Sequence, residues 1–141
     1  RFMVEDGVLY VADGANIDRV QVVKGWMDAK GEQQEKVYDV VWSGNRELND
    51  NGKLPSVGNA VNVTEASYDN FIGAPMLQTY WQDPDFDAEQ SAFYYVRVIE
   101  IPTPRWTTYD TKFFGLKLPE DVPATIQDRA YTSPIWYTPA G

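Results

Sequence analysis

Arg105 is the residue of this chain whose surroundings best suit it to chemistry. It follows Pro102-Thr103-Pro104, where the two proline rings fix φ and stiffen the approach, and it precedes Trp106 and Tyr109. A guanidinium held between aromatic rings can clamp a carboxylate, sulfate or phosphate through paired N–H donors. The structural alternative is that it stacks on Trp106 or pairs with Asp110 inside the fold. Arg105, Trp106 and Tyr109 are therefore the candidate substrate- or interface-contact residues. A second constellation is Asp83, Asp85 and Asp87, with Glu89 following, since calcium takes oxygen ligands from alternating positions. The loop departs from the calcium template: Ala88 stands where the turn needs glycine, and Tyr94 where a bidentate glutamate belongs. A solvated acidic turn, with Asp83 ahead of Pro84, is the preferred reading of these weak calcium candidates.

Other chemistry is excluded by what the chain lacks. It contains no histidine and no cysteine, so no Ser-His or Cys-His nucleophile can be assembled. No glycine-rich phosphate loop precedes a helix, and no spacing selects two of the many acids as a glycosidase pair. The chain by itself is expected to be neither an enzyme nor the holder of a cofactor. Arg97, inside an apolar segment, is expected to pair with Glu100 or Asp39, because a buried arginine needs a carboxylate. The five tryptophans lie in separate segments, which favours core packing over an exposed sugar-stacking platform.

The elements that must position these residues are short. At 141 residues the chain is the size of one domain, able to bury roughly two-thirds of its unfolded surface without a disulfide or structural metal. Aromatics make up 14%, a composition suited to pleated sheets whose side chains pair across strands. Twenty-one acidic against twelve basic residues leave a net charge of −9, which argues against nucleic-acid partners and anionic membranes. No apolar run is long enough to span a bilayer as a helix, so no membrane insertion is expected.

Period-two patterning predicts strands over Val8–Ala12, closed by Asp13-Gly14, and over Ile17–Met27, with Val20, Val22 and Trp26 on one face. A turn at Asp28–Gly31 leads to a return strand, Lys36–Ser43, with Tyr38, Val40 and Trp42 on one face. Residues 45–59 read as a polar surface loop. Further strands are predicted over Ala60–Tyr68, Pro75–Trp81, Phe93–Ile101, Thr125–Ala130 and Ile135–Thr138, and residues 82–90 form an acidic loop. Phe93–Ile101 is apolar on both faces, which marks a central strand. Thr107–Phe114 reads as the one helix, with a threonine cap, Asp110 in its first turn and Gly115 as its stop. Seven or eight short strands with one short helix predict a mainly β fold, an antiparallel β-sandwich, formed by residues 1–141 as a single domain. An open barrel is the competing topology.

Five segments together resemble the C-terminal part of a bacterial domain-of-unknown-function family, the one numbered thirty-six-oh-four. They are Ile17–Gly25, Glu35–Gly44, Trp81–Phe86, Ala92–Asp110 and Pro123–Pro139. The resemblance implies a periplasmic or secreted protein several times this length. Its N-terminal part is similar to metal-dependent hydrolases of the polymerase-and-histidinol-phosphatase superfamily, which hold divalent ions with histidine and carboxylate clusters. This chain has no imidazole to offer such a cluster, so the implied metals belong to residues upstream of Arg1, and the chain is expected to be a C-terminal fragment. The function expected is that of a noncatalytic accessory domain, partnered by the catalytic part of its own parent. An independent carbohydrate- or partner-binding module is the rival. Mostly protected tryptophans favour the first, and two or more exposed tryptophans favour the second.

Overall fold

The computed structural model describes residues 2–5, 8–11 and 14–139. In chain order the first strands are β1 (Phe2–Glu5), β2 (Val8–Val11), β3 (Ile17–Met27) and β4 (Gln33–Trp42). Then come β5 (Val61–Asn62), β6 (Ser67–Tyr68), β7 (Met76–Leu77), β8 (Ala92–Glu100) and β9 (Thr103–Pro104). The helix α1 (Trp106–Phe114) precedes β10 (Thr125–Ile126), β11 (Arg129–Tyr131) and β12 (Ile135–Tyr137). Seven of these strands run three residues or more. Among the described residues all pairings are antiparallel and no sheet closes on itself, so the architecture is a mainly β, sandwich-like fold rather than a barrel.

The frame is a five-stranded sheet in the order β11-β8-β3-β4, with β12 pairing the other end of β8. β8 is thus central, between β3 on one side and β11 and β12 on the other, as its two apolar faces imply. β3 matches its sequence pattern from end to end. The hairpin into β4 turns at Gly31, whose φ of 79° costs a glycine little. Asp28 Oδ1 accepts from the Lys30 and Glu32 amides at 2.9 and 3.0 Å and holds the turn.

Directly paired residues share a face, so the register assigns every side chain. Val20, Val22, Lys24 and Trp26 lie with Val98, Val96, Tyr94 and Ala92. Ile17, Val20 and Val98 form the buried core on this side, packed by Leu77, Val40, Val41 and Ala130. Leu77 brings the small β1-β2-β7 sheet onto this side, and an Ile17–Ala74 bridge joins the two layers. Opposite β3, Val20 pairs with Val41 but Gln21 pairs with Asp39, leaving Val40 as a bulge. One extra residue inverts the alternation. Tyr38 therefore shares the core side while Trp42 pairs with Arg19 on the other, which corrects the expectation that Tyr38, Val40 and Trp42 form one face.

Other boundaries differ from the sequence pattern for local reasons. Ala60–Tyr68 is not one strand but the β5–β6 hairpin, because Asn62 Oδ1 accepts from the Glu65 amide at 3.0 Å and turns the chain. Pro75–Trp81 keeps only β7. Thr125–Ala130 divides because β10 pairs β9 whereas β11 pairs β8. Ala12 and Asp13, expected to end the second strand and begin a turn, lie outside the described residues. The 45–59 loop forms no strand or helix, but it is pinned. Arg46 sends Nη2 to Asp18 Oδ1 at 2.7 Å and to Asp18 O at 3.0 Å, and Nη1 to Pro55 O at 2.9 Å. Asp18 is only 1% exposed, so this ion pair is a buried fastening. Among the described residues no helix is long and apolar enough to cross a membrane.

Gly73 sits at φ 76°, beside the bridge that joins the layers. A Cβ there would lie 2.5 Å from Ile101 Cγ2 and 2.6 Å from Asn16 Cβ. Gly73→Ala is expected to cost about 2–4 kcal/mol, from positive-φ strain plus overpacking, read as a lower urea midpoint at unchanged slope.

Candidate functional site

β9 pairs with β10 and delivers Arg105 to the start of α1. The Arg105 amide donates to Ala124 O at 2.9 Å, and its backbone is extended at φ −68°, ψ 154°. Its carbonyl accepts from the Thr108 amide at 2.8 Å, so Arg105 is itself the N-cap residue, in place of the expected threonine. No side chain caps the helix, and no acidic residue lies in its first turn, which also corrects the placement of Asp110. Thr108 Oγ1 donates to Ala124 O at 2.6 Å and is the one buried position of the helix. Gly115, at φ 64°, ends it in the left-handed conformation as the sequence implies.

The Arg105 guanidinium is half-buried, and its Nε is shielded from solvent without a hydrogen-bond partner. Among the described residues it makes no ion pair with Asp110 and no stacking contact with Trp106. Trp106 is 66% exposed. Tyr109 lines an open notch of about 570 Å³ with Glu65, Ala66, Asp110, Lys112 and Phe113. Lys112 closes one wall by donating to Glu65 O at 2.8 Å and Oε2 at 3.0 Å. Arg105 and Trp106 flank this notch in sequence but do not line it. The apolar side of α1 faces outward: Trp106, Tyr109, Phe113 and Phe114 are all exposed.

The aspartates offered as calcium ligands are held otherwise. Asp83 Oδ2 accepts from Lys24 Nζ at 2.7 Å and from the Tyr94 hydroxyl at 2.7 Å, with the side chains of Lys24 and Asp83 only 3% and 6% exposed. Lys24 Nζ also donates to Asp85 O at 2.7 Å and lies 5.3 Å and 5.8 Å from the Trp26 and Tyr94 ring centroids. Asp85 accepts from Lys36 and from the Tyr38 hydroxyl. Asp87 caps the Glu89 amide at 2.9 Å. Ammonium groups of β3 and β4 thus occupy the positions a cation would need. Among the described residues no group of three or more acidic side chains could hold a metal ion. Burial alone would raise the Asp83 carboxyl, but donation from Lys24 and Tyr94 outweighs it and holds the group below its ordinary value. Asp85 is held low as well, by Lys36 first and then Tyr38. Burial first, then these carboxylates, push the Tyr38 and Tyr94 hydroxyls well above their ordinary range.

The opposite side of the five-stranded sheet is built differently. Register places Arg19 beside Ile99 and Arg129, Gln21 beside Arg97 and Tyr131, and Gly25 beside Phe93 and Trp136. Phe93 covers the bare backbone of Gly25: a Cβ there would lie 2.3 Å from its ring. Phe93 and Tyr95 are near-parallel at 9° with centroids 6.5 Å apart; Trp136 tilts onto Phe93 at 5.2 Å and Tyr131 onto Tyr95 at 6.1 Å. Arg97 Nε donates to Gln21 Oε1 at 2.8 Å, and Gln21 Nε2 donates to Asp39 Oδ1 at 2.7 Å. The expected Arg97–Asp39 pairing is therefore relayed by an amide, and Glu100 is no partner.

Trp26, Trp42 and Trp81 are half-buried, but Trp136, like Trp106, is exposed, so core packing does not account for all five. The aromatic row was written in the alternation of Phe93, Tyr95 and Arg97. What alternation could not tell was which side of the sheet the rest of the chain covers.

Asp83→Asn leaves a buried ammonium facing a neutral amide and is expected to cost about 3–5 kcal/mol, whereas Lys24→Met with Asp83→Leu recovers most of the loss. The pH dependence follows from the shifts. A carboxylate held low in the folded state adds stability that is complete above its unfolded pKa, about 3.9, and is lost as pH falls through the lower folded value. A raised tyrosine stabilises below its unfolded pKa of about 10 and loses that contribution above it. Glu100, raised by burial and by Asp128, acts in the opposite sense at acid pH. The test is therefore a difference: urea midpoints of wild type and Asp83→Asn should converge as pH falls below about 4.

The family model described as "Protein of unknown function (DUF3604)" matches residues 2–139. No curated protein and no solved structure matches the chain. A match that runs through the core strands, the Arg105 turn and the closing strand leaves one conclusion: the chain belongs to the DUF3604 family.

Proposed function

We propose that this chain is the noncatalytic C-terminal accessory domain of a longer bacterial protein, periplasmic or secreted, whose N-terminal part is a metal-dependent hydrolase. The domain docks on that catalytic part through α1 and presents Arg105 at the rim of its substrate pocket. The observation that carries the reading is the outward orientation of α1. A surface helix ordinarily turns its apolar side to the core, yet here Trp106, Phe113 and Phe114 are 66%, 83% and 64% exposed and only Thr108 is buried. Contiguous exposed apolar surface marks an interaction site. Beside it stands a half-buried guanidinium with no carboxylate among the described residues, the kind of group that a pocket uses to hold an anion. The absence of histidine and cysteine removes the usual bases, nucleophiles and imidazole ligands from the chain's own repertoire.

The rival reading, an independent carbohydrate- or partner-binding module, is the one favoured by the tryptophan criterion, since Trp106 and Trp136 are both exposed, and it draws further support from the Trp136–Phe93–Tyr95–Tyr131 row. The two are compatible, because docking would use α1 and binding would use the far end of the sheet.

In the longer parent, Phe113→Ala is expected to destabilise the assembly by about 1–3 kcal/mol, as loss of an interface anchor, while leaving the unfolding of the isolated chain unchanged. Equal effects in both would remove α1 from the interface. Arg105→Ala should lower the parent's kcat/KM about tenfold, the loss of one charge-assisted contact, with this domain's melting unaltered. Wild-type turnover in that variant would remove Arg105 from the pocket rim.

A further inference from the structure

We infer that the side of the five-stranded sheet away from the Lys24 network binds an acidic saccharide chain, whose sugar rings lie along Tyr95, Phe93 and Trp136 and whose carboxylate or sulfate meets Arg97 and Arg129. This inference does not rest on the accessory-domain reading, since every residue in it belongs to this chain. The floor is the near-parallel pair Phe93 and Tyr95, with Trp136 tilting up at one end, 70% exposed, and Tyr131 at the other, 57% exposed. Gly25 allows the Phe93 ring to lie down against the backbone, which flattens the floor instead of leaving a ridge. The C–H faces of a sugar ring are apolar and pack on such rings, while its hydroxyls need polar groups alongside. Those groups are present: the groove of about 720 Å³ under Trp136 is also lined by Gln33, Glu35 and Thr138.

Charge decides which saccharide. The chain carries −9, so most of its surface repels an anion. This side of the sheet concentrates Arg19, Arg97 and Arg129, half of the chain's six arginines. Arg19 is engaged by Asp18 at 3.4 Å and Asp39 at 3.6 Å. Arg97 is steadied only through Nε by Gln21, and among the described residues no carboxylate takes its two amino groups. Arg129 is exposed one diagonal step away, at the Tyr131 end of the row, and pairs with no acid among the described residues. Two cationic heads at one end of an aromatic floor complement a chain of rings bearing an anionic group, and a planar fork suits carboxylate and sulfate alike. Glu35, at the Trp136 end, is suited to hydroxyls and not to a second anion.

The test is calorimetric titration of this chain with three hexasaccharides: a galacturonate hexamer, a chondroitin sulfate hexamer and cellohexaose. At least one acidic hexamer is expected to bind, about tenfold or more tighter than cellohexaose, and more weakly as salt rises. The acidic hexamer that binds tells carboxylate from sulfate. Trp136→Ala and Arg129→Gln should each weaken that binding about tenfold, the size of one lost anchor, with unchanged unfolding because both side chains are exposed. The inference is overturned if neither acidic hexamer binds, if both substitutions leave binding intact, or if cellohexaose binds as tightly and Arg129→Gln has no effect. A chain that dimerises through this face, with Trp136→Ala restoring the monomer and no saccharide bound, would overturn it too.

Discussion

Everything else in this fold depends on the burial of one ammonium group. Lys24 stands in the middle of the longest strand, where its neighbours are valines and tryptophan, and it is 3% exposed. A charge in that position is tolerable only if a counter-charge is delivered to it and its remaining donors are met. The delivery is made by residues 83–85, which place a carboxylate and a backbone carbonyl on Nζ and recruit Tyr94, Tyr38 and Lys36 into the same network. The acidic loop is therefore a lid held down by charge. Its energetic net is modest, because desolvation offsets attraction. Its consequence for architecture is that residues 83–85 are held against the Lys24 side of the sheet.

The two surfaces of the sheet differ in kind. The Lys24 side is valine, isoleucine and the lysine network. The other side carries aromatic rings, arginine and an amide relay, set over buried Val23 and Ile99. At the opposite end of β8 the chain passes through two prolines into a helix whose rings also point away from the core. The folded chain thus presents two distinct sets of unburied aromatics, one on rigid sheet and one on a short helix pinned by Thr108. The two sets share no residues, so a contact made by one leaves the other free.

Much of the frame was legible in the sequence because alternation over eleven residues has few readings. Ile17–Met27 and the central position of Phe93–Ile101 followed from it, and Gly115 announced the helix end. The interactions that set the site were not legible, for physical reasons. The Lys24–Asp83 pair spans 59 residues, and nothing local to either residue names the other. Residues 83, 85 and 87 read as a solvated acidic turn, with calcium as the weaker alternative, because alternating carboxylates look the same whether water, calcium or lysine satisfies them. The β4 bulge is a single unpaired residue, Val40, in a run of valines, so it left no pattern to detect. Arg46 looked like one charge in a polar loop, although it fastens that loop to buried Asp18.

The docking proposal has α1 carry its rings outward to meet another folded part of the same parent. Hydroxyl-radical footprinting of side chains, on this chain alone and on the longer parent, addresses it most directly. Trp106, Phe113 and Phe114 should oxidise readily in the chain alone and be protected in the parent, while the core valines stay silent in both. Equal oxidation of those three rings in both proteins would contradict it.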